Sequence, residues 1–598
     1  MDDLIIGMAG SGGDGIVSAG ESLIHAVAAG GYFGILTKSF GPQIRGGESS
    51  CRLRIGTAPV LNPGGALDVA VVLDWEDFLR FGNELPVTAG TVVIFEKKSG
   101  IDDTTLPLAG VHPRTVCAVP IEEMAMKSAG TQLAKNNVIL GLLAGWLGFP
   151  PESLLGGIRK KFAKKGEVIL AGNERAFAAG LEHAQQHPLG RDLRLSPPGK
   201  SAGKRVISDG NELCAQAAIH AGCKFFGGYP ITPATEIMQH LQRDLWAHGG
   251  AVLQAEDEIA GIGAAVGASF AGKKAMTATS GPGLSLKTEM LGLASVTELP
   301  LVCVDVQRGG PSTGMPTKRE QADLFAAVFS AHGDTVRPVL APISVADTFG
   351  VTVEAFNLAE QFQTPVILLS DQELAQRKEI VDPVDGSRFR LVERLQPSAG
   401  ELEHYTRFRF TPSGISPLSH PGIKGGNYLA AGIEHDEHGA PTAKGDMHAR
   451  MNDKRLAKFG PLKKRRDLFV TAGEPEARIG VIAWGSVAGV ALEALRLAQA
   501  RGTVAKLLIP KLLYPIPEEI YASFFASLTR CVVIEQSHQG QLHKLIRMWV
   551  DVPADFKAFA KSGANPIEPE EIVSQIRAMA HAEAHRSIRA HSDLLNPL

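Results

Sequence analysis

Apolar runs of strand length alternate with longer stretches of helical period over most of the chain. The first run is "DLIIGMA", followed by the glycine turn "GSGGDG" and a helix-period stretch that reaches Ala29. A second strand, "YFGILTKSF", comes next, and the front of the chain closes in an alanine-rich helix around "NERAFAAGLEHAQQ". Further on, "CKFFGGY", "AVLQAE", "KKAMTAT", "LPLVCVDV" and "TPVILLS" are separated by helical patterns, the alternation that βαβ units and a parallel sheet produce. The rhythm returns in "ARIGVIAWGS", in the amphipathic "VAGVALEALRLAQARG" with its closing glycine, and in "TVAKLLI" and "RCVVIEQS". This pattern predicts a multidomain α/β protein.

Breaks in the rhythm predict the boundaries. Residues 1–185 form a front, Rossmann-like domain. Residues 186–203, "HPLGRDLRLSPPGKSAGK", carry the Pro, Gly and charge of a linker. Residues 204–376 hold the parallel-sheet pattern. Residues 377–475 are polar and irregular, a functional or wrapping connector. Residues 476–598 form a last α/β domain. A chain of 598 residues has room for three or four such domains at roughly 100–200 residues each.

Composition narrows the class. The formal net charge is −3, from 60 basic and 63 acidic residues, which supplies no concentrated basic face for nucleic acid. The six cysteines form no C-x-x-C pair, so neither a zinc nor an iron–sulfur framework is expected in this chain, and scattered thiols suit a reducing compartment. The opening "MDDLIIGMAG" does not read as a signal peptide, and the apolar run 138–149 is shorter than the roughly 20 residues that span a bilayer. A cytoplasmic protein without a membrane partner is expected.

Two places carry candidate chemistry. Gly10, Gly12 and Gly15 form G-x-G-x-x-G at a strand–helix join, where backbone N–H groups can hold phosphate. The acidic residue that a dinucleotide site places ~20 residues further on is missing. Lys38 ends the second strand instead, and a second glycine turn holds Arg45, Gly46 and Gly47. These residues, with Gly12 and Gly13, suit a phosphorylated ligand, and equally suit plain tight turns.

The second place is the set of strand ends in residues 204–376, because ligands of open α/β sheets sit beyond the carboxyl ends of the strands. These ends read "GGYPITPATE", "EDEIAGIGAAVGAS", "TSGPGLS" and "QRGGPSTGMPTKREQ". Thr232 and Pro233 predict a helix N-cap and first helical position. Glu258 starts a helix of small residues, where a tightly packed carboxylate needs a donor or a proton, whereas Glu256 and Asp257 suit a plain helix-start acid. Arg308 ends its strand before two glycines and suits a substrate carboxylate. Arg337 and Lys318 are candidates for a second substrate carboxylate; Lys318 and Arg319 equally suit solvated surface, and His332 a packed or capping role.

These motifs resemble the 2-oxoacid:ferredoxin oxidoreductase family. "GNELCAQAAIHAGCKFFGGYPITPATEI", "EDEIAGIGAAVGASFAGKKAMTATSGPGLSLKTEMLG" and "QRGGPSTGMPTKREQADLFAAVFSAHGD" are similar to its α subunit, and "GSGGDGIVSAGESLIHA" with "SFGPQIRGGESSCRLRIG" to its γ subunit, here fused ahead of α. "HPGIKGGNYLAAGIEHDEHG" is similar to the 2-oxoglutarate type. The resemblance implies a γ domain, a pyrimidine-binding domain and a transketolase-C-terminal-like domain. It implies thiamine diphosphate chemistry in which a 2-oxoacid is decarboxylated, electrons pass through [4Fe–4S] to ferredoxin, and the acyl group leaves on coenzyme A. Glu258 matches the glutamate that bonds the aminopyrimidine N1′, Thr232 a threonine near substrate and thiazolium, and Arg308 the arginine that holds the 2-oxoacid carboxylate. Tyr229, Pro230, Ile231, Ser280 and Gly281 would complete the thiamine diphosphate contacts. Gly12, Gly13, Lys38, Arg45, Gly46 and Gly47 would face coenzyme A.

The departures imply a partner. Gly13-Asp14-Gly15 is not followed by the Asn that a diphosphate site needs, since the next is Asn62, and no cysteine cluster is present. No metal is assigned to this chain. A β subunit would supply Mg²⁺, the diphosphate-binding residues and [4Fe–4S], in an αβ heterodimer or a dimer of such pairs that acts on ferredoxin, and the chain alone would be inactive. Three other readings remain open: the same reaction on pyruvate or a branched-chain 2-oxoacid, a non-catalytic scaffold for coenzyme A or ferredoxin, and an NAD-linked dehydrogenase.

Overall fold

The computed structural model describes residues 1–41, 47–97, 101, 105–199, 204–563 and 565–581. It divides into two units. One comprises Met1–Asp209, Gln376–Pro383 and Ala564–Glu568; the other comprises Gly210–Ala375, Val384–Gly563 and Pro569–Leu598.

The first unit is built on an eight-stranded sheet. Its strands run in the order Thr115–Val119, Val92–Glu96, Val69–Val72, Asp3–Gly10, Ser49–Gly56, Phe33–Phe40, Lys378–Val381 and Val206–Ser208. Asp3–Gly10 is parallel to Val69–Val72 but antiparallel to Ser49–Gly56, which lies between it and Phe33–Phe40. The Rossmann-like reading thus acquires an antiparallel strand at its centre. Cys51, Leu53 and Ile55 of that strand enter the main core. Arg52 and Arg54, on its other face, are buried as well. Arg54 Nε reaches Asp3 at 3.0 Å, and Arg52 Nε donates to the Pro63 carbonyl at 2.9 Å.

The apolar run that begins at Val138 lies in a helix, Lys135–Leu147, which is buried over nearly its whole length. It packs on Glu167–Gln186 through two glycines. A Cβ on Gly141 would stand 2.1 Å from the Phe177 carbonyl, and one on Gly180 would stand 2.1 Å from that of Val138. Among the described residues, no helix is long and apolar enough to cross a membrane.

The second unit holds two sheets. The larger runs in the order Leu512–Tyr514, Val339–Leu340, Pro365–Asp371, Leu301–Gln307, Ala275–Thr279, Phe225–Gly228 and Ala251–Gln254, parallel throughout except for Leu512–Tyr514. The smaller runs Phe469–Gly473, Lys506–Pro510, Ile479–Ala483, Arg530–Glu535 and Asp555–Ala560, with the first strand antiparallel. Alternation along Leu301–Gln307 sends Val302, Val304 and Val306 to one core, and Leu301 and Cys303 to another. That second core also contains Ile482, Trp484 and Leu508, so one apolar interior serves both sheets.

The stretch 384–463 contributes no strand to these sheets and is fastened by buried charge. Arg394 and Glu360, both almost wholly buried, share two bonds of 2.7 Å, and Arg394 Nη1 donates to the Ser269 carbonyl at 2.9 Å. Glu298, fully buried, meets Lys454 and Lys458, the latter at 3.3 Å, while Arg407 Nη2 donates to the Glu298 carbonyl at 2.7 Å. Burial alone would raise the Glu298 carboxyl. Lys458, Lys454 and Arg407 outweigh it and hold that carboxyl well below the usual range. Removing the anion strands three buried cations. Glu298→Gln is expected to destabilise the unit by about 3–5 kcal/mol, read as a lower denaturant midpoint.

Candidate active site

Four carboxyl ends of the parallel sheet lie side by side, because Leu301–Gln307, Ala275–Thr279, Phe225–Gly228 and Ala251–Gln254 are consecutive and parallel. Each candidate residue follows from what leaves these ends.

The helix Glu258–Phe270 starts at the last of them. Asp257 caps it, its Oδ1 accepting from the Ala260 N–H at 2.8 Å, so Asp257 is the plain helix-start acid. Glu258 is instead turned into the protein and 8% exposed. Lys287, fully buried in the helix Gly281–Val296, donates to the Glu258 carbonyl at 2.9 Å. Burial lowers the Lys287 ammonium below its ordinary value. No donor among the described residues reaches the Glu258 carboxylate itself. The start of Gly281–Val296 is bare towards it. A Cβ on Gly283 would stand 2.0 Å from Thr279 Oγ1, 2.8 Å from Glu258 Cγ and 2.9 Å from Glu258 Oε1.

Thr232 requires a correction. The helix begins at Thr235, with Ala234 in the capping position and no side-chain cap. The preceding residues form a turn closed by the Ala234 N–H on the Ile231 carbonyl at 2.8 Å, which takes up the backbone where a Thr232 cap would form. The Thr232 hydroxyl is thus not used in capping. Its carbonyl accepts a hydrogen bond from Arg308 Nη1. Arg308 is 6% exposed and its Nε has no partner among the described residues. Tyr229 is exposed, Pro230 and Ile231 are half-buried, and Ser280 is fully buried, its hydroxyl without a partner among the described residues.

The loop after Arg308 is anchored to the smaller sheet. Glu320 accepts from the Gly310 N–H and from the Gly563 N–H, both at 3.0 Å. Gln321 donates to the Trp484 carbonyl at 2.9 Å and accepts from the Gln536 N–H at 2.8 Å. Lys318 belongs to this loop, its carbonyl accepting from the Gly309 N–H at 2.9 Å.

Arg337 is not brought to this place. It precedes Val339, which pairs with Ile367, and Ile367 pairs with Cys303 in mid-strand, so Arg337 lies towards the amino ends. It is 1% exposed and bonded to the Ala327 carbonyl and Ser330 Oγ at 3.2 and 3.3 Å; burial lowers its guanidinium to about 10. It is a core arginine, which overturns its reading as a substrate contact.

In the first unit, Gly12 and Gly13 are exposed, and Gly15 leads bare into the helix Ile16–Ala29. Asp14 meets Lys135 at 2.8 Å, and Lys38 meets Glu21 at 3.2 Å. Arg45 and Gly46 lie outside the described residues, and Gly47 directly follows them. Cys51 beneath the glycine loop is no nucleophile, since burial pushes its thiol up to about 12.

Sequence reasoning missed Gly283, Lys287 and Glu320, and passed over the buried Asp305 and the half-buried Asp323. One signal was present for Asp305, a single charge inside the apolar run "LVCVDVQ".

Comparison with known proteins places the chain. Residues 5–183 match the family described as pyruvate ferredoxin/flavodoxin oxidoreductase. Residues 216–453 match pyruvate flavodoxin/ferredoxin oxidoreductase, thiamine diP-binding, and 477–572 match pyruvate:ferredoxin oxidoreductase core domain II. The 2-oxoglutarate oxidoreductase subunit KorA of Mycobacterium tuberculosis is 33% identical, over 92% of this chain and 87% of that one. The 2-oxoglutarate synthase subunit KorA of Methanothermobacter marburgensis is 37% identical over 62% of this chain and 98% of its own. A solved structure of 2-oxoglutarate:ferredoxin oxidoreductase from Magnetococcus marinus, with 2-oxoglutarate, coenzyme A and succinyl-CoA bound, is 36% identical. It covers 97% of this chain and 99% of its own, with a TM-score of 0.90. The chain belongs to the 2-oxoacid:ferredoxin oxidoreductases, a family of oxidoreductase enzymes.

Gly283 offers a direct test of the geometry. Gly283→Ala favours the helix by up to about 1 kcal/mol, yet its Cβ displaces Glu258 and Thr279. The expected result is a loss of turnover of about tenfold or more in the assembled enzyme, with overpacking costing about 1–3 kcal/mol of stability, read by thermal unfolding.

Proposed function

We propose that the chain is the α subunit, with a fused γ-type front segment, of a thiamine-diphosphate-dependent 2-oxoglutarate:ferredoxin oxidoreductase. The reaction converts 2-oxoglutarate and coenzyme A into succinyl-CoA and CO₂, with two electrons passing to ferredoxin. The observation that carries the reading is that Glu258, a carboxylate with no donor among the described residues, and Arg308, a buried arginine, both stand at the carboxyl end of one parallel sheet, at the first and last of four consecutive strands. The names of three relatives, two of them matching over more than nine-tenths of this chain, favour 2-oxoglutarate as the substrate.

The residues fit the pyrimidine half of a thiamine diphosphate site. Among the described residues Glu258 has no donor and the buried Ser280 hydroxyl no partner, and Gly281 and Gly283 leave the helix start bare. Tyr229, Pro230, Ile231 and Thr232 form the adjoining turn. When bound, the cofactor supplies a nucleophilic carbon and takes up the electron pair released by decarboxylation. Glu258 bonds the aminopyrimidine N1′ and holds a proton there. Arg308 orients the substrate carboxylate through the donors it does not give to Thr232. The Thr232 hydroxyl, unused in capping, donates to a substrate oxygen. Coenzyme A is assigned to the glycine loops of the first unit, around Gly12, Gly13, Lys38 and Gly47.

The other half of the site is assigned to a β subunit that carries Mg²⁺, the diphosphate-binding residues and [4Fe–4S]. Among the described residues, no cluster of three His, Cys, Asp or Glu side chains could hold a metal ion. The exposed side chains Tyr229, Ile259, Leu286 and Met315 belong to segments that leave the same strand ends. A Cβ on Gly263 or Gly267 would meet nothing, which leaves the outer face of the Glu258–Phe270 helix smooth for such a partner.

Turnover of the assembled enzyme with coenzyme A and a viologen dye tests the substrate. The expected order is 2-oxoglutarate ahead of pyruvate and branched-chain 2-oxoacids by about tenfold or more in kcat/KM, a difference of about 1.4 kcal/mol. A lead for pyruvate would overturn the assignment. Glu258→Ala should lower turnover by about 10²-fold or more while the complex still assembles; near-normal activity would leave only the scaffold reading. Thr232→Val should slow the 2-oxoacid step while leaving the unfolding transition nearly unchanged.

A further inference from the structure

The strand Leu301–Gln307 buries a carboxylate among apolar neighbours. Asp305 is fully buried, and neither of its oxygens has a hydrogen-bond partner among the described residues. It pairs with Thr279 on one side and Leu369 on the other. Two residues beyond Thr279, a Cβ on Gly281 would stand 2.8 Å from Asp323 Oδ2. The Asp323 N–H donates to Gln307 Oε1 at 3.0 Å. Sheet register therefore brings Asp305 and Asp323 to the carboxyl ends of the same two strands, beside Arg308. Among the described residues Arg308 makes no ion pair; its hydrogen bond goes to the Thr232 carbonyl.

We propose that Asp305 and Asp323 are positioning residues that hold one proton between them, and that the charge they keep sets how strongly Arg308 takes a substrate carboxylate. This rests on the reading of Arg308 as the carboxylate-binding residue.

Asp305 is fully buried and Asp323 half-buried; two neighbouring carboxylates so placed do not both ionise readily, and their protons belong to the pair. Burial pushes Asp305 well above the usual carboxylate range; Asp323 adds to that shift and Arg308 opposes it. Burial also raises Asp323, to about 6, with Glu320 acting the same way and Arg308 opposing. With no donor to support its anion, Asp305 keeps the shared proton at neutral pH, and Asp323 is the member that changes charge. Its anion offsets the guanidinium and competes with the substrate. When pH falls through about 6, Asp323 is neutralised and Arg308 is left as an uncompensated cation. A 2-oxoacid stays ionised across that range, since its own carboxyl titrates at about 4 or lower. Affinity therefore rises as pH falls.

The other charged groups facing the pair have assigned contacts or lie on named elements. Glu320 accepts from two backbone N–H groups, Lys287 donates to the Glu258 carbonyl, and Asp371 accepts from the Leu374 and Ser486 N–H groups at 3.0 and 3.1 Å. Arg319 is paired with Glu373. Cys303, on the same strand, is a neutral thiol pushed up to about 12 by burial. Glu258 stands by Gly283, at the same helix start that Gly281 opens towards Asp323, so Asp323→Asn separates the two.

The experiment is the KM for 2-oxoglutarate between about pH 5 and about pH 8 in the assembled enzyme, for wild type, Asp323→Asn, Asp305→Asn and Arg308→Gln. In wild type, KM should fall roughly tenfold as pH drops through the titration of Asp323, with a much smaller change in kcat. Asp323→Asn should flatten the profile at the low-pH value. Asp305→Asn should keep the wild-type profile, because the amide stands in for the protonated acid. The infrared carbonyl band of a protonated carboxylic acid at neutral pH should be present in wild type and missing in Asp305→Asn, a readout that does not depend on activity. An unchanged slope in Asp323→Asn, or no such band in wild type, overturns the proposal. If Arg308→Gln leaves KM untouched, the carboxylate-binding reading itself fails. If Arg308→Gln raises KM while Asp323→Asn keeps the slope, only the proton-sharing proposal fails.

Discussion

The helix Gly281–Val296 can start where it does only because its first and third residues carry no side chain. Gly283 leaves room for Glu258 and Thr279, and Gly281 leaves room for Asp323. Any Cβ at these points would push a carboxylate away from the strand ends. The helix start is therefore the common wall of two acidic places. On one side Glu258 waits without a donor; on the other Asp305 and Asp323 lie behind Arg308. Register between Ala275–Thr279 and Leu301–Gln307 fixes the spacing of the two. The parallel order of the sheet then brings the Thr232 turn within reach of the same arginine.

Around this wall the unit uses charge where it lacks regular structure. The path through 384–463 would have little to hold it if apolar contact were the only force. Glu298 with its cations, and Arg394 with Glu360, fix that path at points deep in the protein. Such pairs are costly to bury and costly to break, which favours one arrangement over its neighbours.

Much of the parallel sheet was legible, because its strands are apolar runs bounded by glycine and proline. Phe225–Gly228, Ala251–Gln254, Ala275–Thr279, Leu301–Gln307 and Pro365–Asp371 each lie within or overlap a run that the pattern picks out. The strand Ser49–Gly56 was hidden by Arg52 and Arg54, which look like a wet face but are buried against Asp3 and backbone carbonyls. Val206–Ser208, Lys378–Val381 and Leu512–Tyr514 are too short to announce themselves, and each depends on partners far away in the chain. That Glu258 and Arg308 stand buried at the carboxyl end of the sheet was legible from residue type and position. The Thr232 cap was not, because a closed turn displaced it, and Arg337 read as a ligand only because sequence does not say which end of a strand a residue sits near. Asp305 was visible as an odd charge, but its lack of a partner is a property of packing.

Glu320 carries a consequence for the thermodynamics of ligand capture. Residues 308–323 contain almost no regular structure, and a free loop of that kind loses about 1–2 kcal/mol of backbone entropy for each residue that becomes ordered. Here one carboxylate ties the loop to Gly563, and Gln321 ties it to Trp484 and Gln536, before any ligand arrives. The ordering is completed during folding rather than during binding. A molecule as small as a 2-oxoacid has few atoms with which to offset such a loss. On the proposed reading of Arg308, the smaller sheet is the entropic counterweight of the arginine loop, and a ligand of a few heavy atoms would be held by a handful of hydrogen bonds.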